Sequence, residues 1–285
     1  MYLDYFNFPT VDMEHAFFMS IQRKCYDTFY PFQVLSGRGL FRLDFAPVTI
    51  LYGGNGCGKS TALNVIAEKT GVARDSIFNK SNFYADYVNL CDMHILTDIP
   101  KGSRIITSDD VFDYMLNIRN LNEGIDLKRE DLFDDYLDAK YSHFQMRSME
   151  DYDQLTKVVK SRSKTQTRFV KSELMANVRE FSNGESAYRY FTEKIGENAL
   201  YILDEPENSL SPKRQMELAQ FIQDGARFYG CQFIISTHSP FLLAMRGAKV
   251  YDLDESPAAV KPWTQLENVR VYRDFFMQHE GAFEA

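Results

Sequence analysis

The chain has 285 residues, 45% of them hydrophobic and 25% charged, with a formal net charge of −8. This balance excludes global disorder, a collagen-like or repetitive chain, and a surface basic throughout of the kind that coats nucleic acid. The four cysteines, Cys25, Cys57, Cys91 and Cys231, form no C-x-x-C pair, which argues against a zinc site or disulfide framework and fits a reducing compartment. The opening MYLDYFNFPT lacks the basic-then-apolar order of a secretory signal, and no apolar run approaches the ~18 residues of a membrane span. A cytoplasmic chain with no direct membrane insertion is expected.

Phe41, Leu43 and Phe45 alternate with Arg42 and Asp44, the period of a half-buried strand. Residues 48–52 (VTILY) are a β-branched apolar run ending in glycines, as in a buried strand of a parallel sheet. Residues 59–70 place Leu63, Ile66 and Ala67 at helical spacing, with Gly71 as the stop. A short strand is expected at 104–107, then a helix from Asp109 or Asp110 to Asn120. Composition then shifts: residues 109–155 hold 13 acidic and 5 basic residues. Residues 156–172 hold Lys157, Lys160, Arg162, Lys164, Arg168 and Lys171 and no acid. With few glycines or prolines and no sustained heptads, 109–181 reads as a helical insertion or lid rather than a coiled coil. Strands at 199–203, 231–235 and 249–253, a helix at 212–228, and a C-terminal packing helix at 264–278 after Trp263 complete the pattern. Strands alternating with helices predict an α/β fold. Its core would have an N-terminal half, 1–108, and a C-terminal half, 182–285, on either side of the insertion.

Four segments carry chemistry. Gly53-Gly54-Asn55-Gly56-Cys57-Gly58-Lys59-Ser60 fits G-x-x-x-x-G-K-[ST] and lies between a strand and a helix, the context this phosphate loop requires. Chance places such a match in roughly one such chain in a few hundred. Glycines let backbone N–H groups curl around phosphate oxygens at a helix N-terminus. Lys59 would reach the β- and γ-phosphates, Ser60 would ligate Mg²⁺, and Thr61 would bond the α-phosphate. The apolar run 199–203 ends in Asp204 and Glu205. Asp204 suits Mg²⁺, held through water, and Glu205 suits a base that orients or deprotonates the attacking water; an exposed acidic strand end is the bland reading. Ser182 followed three residues later by Glu185 is a capping box in isolation. His238 ends the strand at 231–235 and, one helix after Glu205, comes beside the acidic pair in a parallel sheet.

Together these segments resemble the ABC-type ATPases, in the branch of the SMC, RecF-like and OLD-like proteins, with the likeness strongest to small stand-alone bacterial "AAA family" ATPases. The shared features are Tyr30-Pro31-Phe32, the D-E-P-E run at 204–207, Leu210-Ser211-Pro212 and the T-H-S-P switch at 237–240. The resemblance implies a P-loop NTPase with a mixed, mainly parallel sheet. It implies that Gly53 to Thr61 bind ATP and Mg²⁺, that Asp204 is the Walker B carboxylate and Glu205 the catalytic base, and that His238 contacts the γ-phosphate. Residues 208–211 resemble the D-loop. Ser182, Asn183 and Gly184 resemble the signature, acting in trans on the ATP of a second subunit. Asn183 stands where a second glycine is usual, and no Q-loop glutamine is apparent near Thr107-Ser108-Asp109.

A site divided between two copies implies a homodimer that forms on ATP binding and acts on nucleic acid or on an effector protein encoded nearby, with phage defence as a context. The chain ends too soon after His238 for a fused nuclease of the OLD-like kind. A transporter's nucleotide-binding subunit and an ATP sensor with little turnover are the alternatives. Three points stay open: whether 157–171 binds nucleic-acid phosphates or pairs with 109–155, whether Tyr30 or Phe32 stacks on adenine or lies in the core, and whether Cys57 has any regulatory use.

Overall fold

A computed structural model describes residues 1–21, 25–142, 152–174, 176–177 and 182–283. Its contacts divide the chain into two units, Met1–Phe112 with Asn183–Ala285, and Asp113–Ser182.

In the first unit, a six-stranded sheet has the order β5 (Arg104–Thr107), β6 (Leu200–Asp204), β7 (Gln232–Ser236), β3 (Val48–Tyr52), β8 (Lys249–Asp252), β9 (Ala259–Val260). All neighbours are parallel except β8 and β9, so the sheet is mixed and mainly parallel, as expected. Every residue of β3 and β7 is buried, which is why both read as unbroken apolar runs rather than alternating ones. Helix α2 (Lys59–Thr70) packs on β6 and β7. It stops where Gly71 takes φ +68° and returns its N–H to Ala67 O at 3.0 Å. Helix α8 (Pro212–Phe228) starts at the Ser211 cap and lies close on β7. A Cβ on its Gly225 would stand 3.1 Å from the Phe233 ring, a tight contact that glycine avoids.

The strand expected at 41–45 is β2 (Arg42–Asp44), in a separate antiparallel sheet ordered β2, β1 (Leu3–Asn7), β4 (Asp92–Ile95). Helices α1 (Val11–Ser20) and α3 (Tyr84–Leu90) belong to the same part of the chain. Leu3, Phe6 and Leu43 share one apolar core with Leu51, Ile66, Ile202 and Ile234. Gln232, fully buried at the start of β7, fastens the two sheets. Its Oε1 accepts from Tyr2 N at 2.7 Å and Leu3 N at 2.9 Å, and its Nε2 donates to Leu3 O at 2.8 Å.

Helix α4 (Ser108–Tyr141) overruns its expected end at Asn120 and is 34 residues long. Gly124 has open space around it and costs the helix only about 1 kcal/mol, too little to end it. Helices α5 (Tyr152–Ser163) and α6 (Gln166–Glu173) lie in the second unit, where Tyr136, Phe169 and Val170 form a small core. The basic stretch pairs inward: Lys157 reaches Asp135 at 2.5 Å, Lys160 reaches Glu173 at 2.9 Å, and Arg162 donates to Ser142 O at 2.8 Å. These contacts are half-exposed and each contributes little; of the three, the Lys157 pair alone joins the basic stretch to an acid of residues 109–155.

Helix α7 (Asn183–Lys194) returns the chain to the first unit; Phe181, just before it, lies outside the described residues. A short helix α9 (Pro240–Leu243) follows β7. The C-terminal helix α10 (Glu267–Gln278) is anchored by Asn268 N–H on Tyr52 Oη at 3.1 Å. It corrects the expectation of a packing helix: only Val269 is buried, while Val271, Tyr272, Phe275, Phe276 and Met277 are exposed. No described helix is long and apolar enough to cross a membrane.

Candidate functional site

Parallel register brings three strand ends together. Leu51 of β3 and Asp204 of β6 both stand opposite Ser236 of β7. The turns leaving β3, β6 and β7 therefore meet in the crevice at the carboxyl edge, where α/β sheets place ligands.

From β3 the chain enters the loop 53–58. Gly53, Gly56 and Gly58 adopt φ +154°, +79° and +99°, which side-chain-bearing residues resist. A Cβ on Gly53 would lie 2.6 Å from Cys57 Sγ, and one on Gly58 2.9 Å from Leu35 Cδ2. The loop delivers its chain to the N-terminus of α2, capped by Gly58, and together with Val34 and Glu205 it lines a cleft of about 180 Å³. Cys57 is buried, and that burial pushes its thiol above the usual range, with Lys59 pulling the other way. Asn55 lines the same cleft. A larger cavity of about 660 Å³ lies at the opposite end of β3, against Pro47, Val48, Arg227 and Arg246, without a glycine loop.

Lys59 is 4% exposed, and its ammonium is the hub of the site. Nζ donates to Gly53 O at 2.8 Å and Gly54 O at 3.2 Å, lies 2.8 Å from His238 Nε2, and stands 3.7 Å from Glu205 Oε1. An ammonium has no lone pair, so Nε2 is the acceptor here and the ring proton belongs on Nδ1. His238 Nε2 is also 3.4 Å from Glu205 Oε1. Glu205 holds φ +47°, a left-handed conformation that costs a non-glycine residue roughly 1 kcal/mol. Its N–H is fixed on Ser236 O at 3.1 Å and Ser236 Oγ at 3.0 Å, and Asn208 Nδ2 donates to its Oε2 at 3.1 Å.

Asp204 Oδ1 accepts from Ser60 Oγ at 3.1 Å and Ser236 Oγ at 2.5 Å. Burial holds its carboxyl above the usual range, against the pull of those two hydroxyls. A cation beside it would reverse that penalty. Ser60 and Asp204 are hard oxygen donors in contact, and among the described residues no cluster of three His, Cys, Asp or Glu forms. This donor set fits Mg²⁺, which keeps several waters and completes its shell with phosphate oxygens, better than a metal needing an all-protein cage.

The remaining expected residues fall as follows. Thr61 is buried, and its hydroxyl accepts from Tyr30 Oη at 3.1 Å. Phe32 is core, stacked on Phe17 with centroids 4.5 Å apart, whereas half-buried Tyr30 stands at Thr61. Thr107 caps into α4 by donating N–H and Oγ1 to Asp110 Oδ2 at 2.6 and 2.9 Å. Ser182 and Asn183 fall at the join between the units. A Cβ on Gly184 would meet Ser209 O at 3.4 Å and Ser211 N at 3.7 Å, and Glu185 lies 3.6 Å from Arg214. Within one chain, Gly184 thus lies beside Ser209 and Ser211.

Two residues escaped the sequence reading. Asp254 accepts from Gly54 N–H with both oxygens at 2.8 Å, holding the start of the loop. Nothing local marks it, because the contact spans 200 positions. Glu207 accepts from His238 N at 2.6 Å and Ser239 N at 3.2 Å. Burial raises its carboxyl above the usual range, opposed by the Thr237 hydroxyl and the His238 N–H. It was visible only as the last letter of the D-E-P-E run.

A glycine loop follows β3, a carboxylate pair ends β6, and a histidine-bearing strand lies between them, in an α/β fold with a mixed, mainly parallel sheet. The family described as "AAA domain, putative AbiEii toxin, Type IV TA system" matches residues 103–244, a span that takes in Asp204, Glu205 and His238 and leaves the glycine loop outside. Among solved structures, the SMC head domain from Thermotoga maritima is similar at 14% identity and TM-score 0.37, covering 78% of this chain and 92% of its own. The Pyrococcus furiosus Smc head with an extended coiled coil, bound to the C-terminal domain of ScpA, is similar at 12% identity and TM-score 0.39, covering 82% and 94%. The dimeric bacterial ABC transporter cassette MJ0796 is similar at 14% identity and TM-score 0.38, covering 79% and 90%. No curated protein matches the chain in sequence.

Proposed function

We propose that the protein binds and hydrolyses ATP with Mg²⁺ and works as a switch, two copies closing around two ATP molecules. The observation that carries this reading is the convergence of Glu205, His238 and the buried Lys59 within 3.7 Å of one another at the mouth of the glycine loop. Backbone N–H groups of residues 55–59 and the N-terminus of α2 would cradle phosphate. Lys59 would exchange the Gly53 and Gly54 carbonyls for β- and γ-phosphate oxygens. Ser60 and, through water, Asp204 would hold Mg²⁺, which supplies charge neutralisation on the triphosphate. Thr61, already oriented by Tyr30, would face the α-phosphate. Glu205 would orient or deprotonate the attacking water. His238 would donate from Nε2 to the γ-phosphate, so its ring must first give up Lys59 and carry the proton on Nε2.

Phosphoryl transfer depends on positioning and charge stabilisation. A second copy would bring Ser182, Asn183 and Gly184 to the γ-phosphate, and Asn208 to Ser211 across the seam. The packing of Gly184 on Ser209 supports this, since the two segments would then approach a neighbour as one surface. The output would be a partner effector protein encoded nearby, or nucleic acid. The matching family's toxin–antitoxin description supports a defence setting, and four free thiols fit the cytoplasm. The test is phosphate release. Wild type is expected to turn over only with Mg²⁺, and Glu205→Gln to lose at least about 10²-fold in kcat while retaining ATP. Equal turnover by the two proteins would overturn the reading.

A further inference from the structure

We propose that Glu207 is a positioning residue that ties the switch loop carrying His238 to residues 207–210, so that the two segments move together. Glu207 sits one turn after the carboxylate pair, on a different strand end from His238 and 31 positions away. One of its oxygens, Oε1, takes two successive backbone N–H groups, those of His238 at 2.6 Å and Ser239 at 3.2 Å. A second tie closes the loop from the other side. Ser239 Oγ donates to Gln215 Oε1 at 2.7 Å, and Gln215 Nε2 donates to Leu210 O at 2.9 Å. Leu210 N–H in turn bonds Glu207 O at 2.9 Å. Residues 207, 210, 215, 238 and 239 thus form a ring of hydrogen bonds joining the turn after β6 to the turn after β7.

The chemistry does not read as packing. Among the described residues, Oε2 of Glu207 is buried and has no hydrogen-bond partner. A buried carboxylate oxygen left unpaired is destabilising, and an apolar side chain would fill the same space without that cost. What the carboxylate adds is a charge-assisted grip on two N–H donors, roughly twice as strong as a neutral one. That grip sets the backbone from which the imidazole projects toward Lys59 and Glu205. The inference rests on the reading above, in which His238 meets the γ-phosphate and residues 208–211 meet the second copy. Under it, contact at the seam reaches His238 through Glu207.

The experiment is a double-mutant cycle on the full chain, with hydrogen exchange as a readout that needs no turnover. Glu207→Ala is expected to lower kcat by about 10-fold or more with KM changed less than about 3-fold, and Glu207→Gln, which keeps an acceptor oxygen, to recover most of it. In a His238→Ala background, Glu207→Ala is expected to cost less than about 2-fold further, because the two residues act as one unit. In both backgrounds Glu207→Ala is expected to speed amide exchange at residues 237–239. Losses that multiply across the cycle, or unchanged exchange at 237–239, would overturn the proposal. If wild type shows no turnover, the hydrolysis reading falls on its own and hydrogen exchange alone decides the tie. If Glu207→Ala does not fold, Glu207→Gln carries both readouts, with exchange at 237–239 close to wild type expected and exchange as fast as in an untied loop contradicting the idea.

Discussion

Replacing Gln232 with Leu tests whether the two sheets are held by one buried amide. The substitution removes an acceptor from Tyr2 N and Leu3 N and a donor from Leu3 O, at 2.7, 2.9 and 2.8 Å. Leu3 and Gln232 are fully buried, so water cannot replace the lost bonds without opening the core. Each backbone group left unpaired costs about 1–3 kcal/mol. Leucine returns about 1–2 kcal/mol through its apolar surface. The net expectation is a loss of about 3 kcal/mol, a large share of the ~5–15 kcal/mol that holds a typical domain together. Urea unfolding followed by tryptophan fluorescence and circular dichroism would measure it as a lower midpoint at constant m. A loss below about 1 kcal/mol would refute the reasoning, since it would mean that β1 finds its partners elsewhere.

Glu14 gives a pH prediction. Burial raises its carboxyl, while Ser36 Oγ and Gln33 N–H, donating to Oε2 at 2.7 and 3.0 Å, pull it back. A carboxyl raised in the folded state contributes stability below its unfolded pKa and loses it as pH rises through the folded value. The Tm of Glu14→Gln, relative to wild type, should therefore rise between pH 5 and pH 7.5; a flat difference contradicts this. Gly53→Ala, with φ +154° and a Cβ 2.6 Å from Cys57 Sγ, should abolish ATP binding by isothermal titration, whereas Gly102→Ala, in open space, should leave it unchanged. Cys57 should alkylate more slowly than exposed Cys25 in mass spectrometry, and more slowly still with ATP present, because burial raises its thiol.

The elements the sequence revealed were those whose signal is local. Strands β3, β6 and β7 are buried on both faces, and α2 and α8 carry their own caps and stops, so a window of residues contains the information. Strand β1 was not recognised, because its pairing with residues 42–44 and 92–95 and its bond to Gln232, 229 positions away, leave no mark nearby. Helix α4 was cut short at Asn120 because its acidic surface hides the apolar stripe that ends at Tyr136 and Ala139. The site followed the same division. Lys59, Ser60, Asp204, Glu205 and His238 stand in short motifs. Asp254 and Glu207 act only across turns brought together by the parallel register.

The most direct measurement is the mass in solution of Glu205→Gln by analytical ultracentrifugation, with and without saturating ATP and Mg²⁺. The account predicts a monomer without nucleotide and a stable species of twice that mass with it, lost again when Lys59→Ala is added. A chain that binds ATP under those conditions and still sediments as a monomer would contradict the idea that each copy completes the other's site.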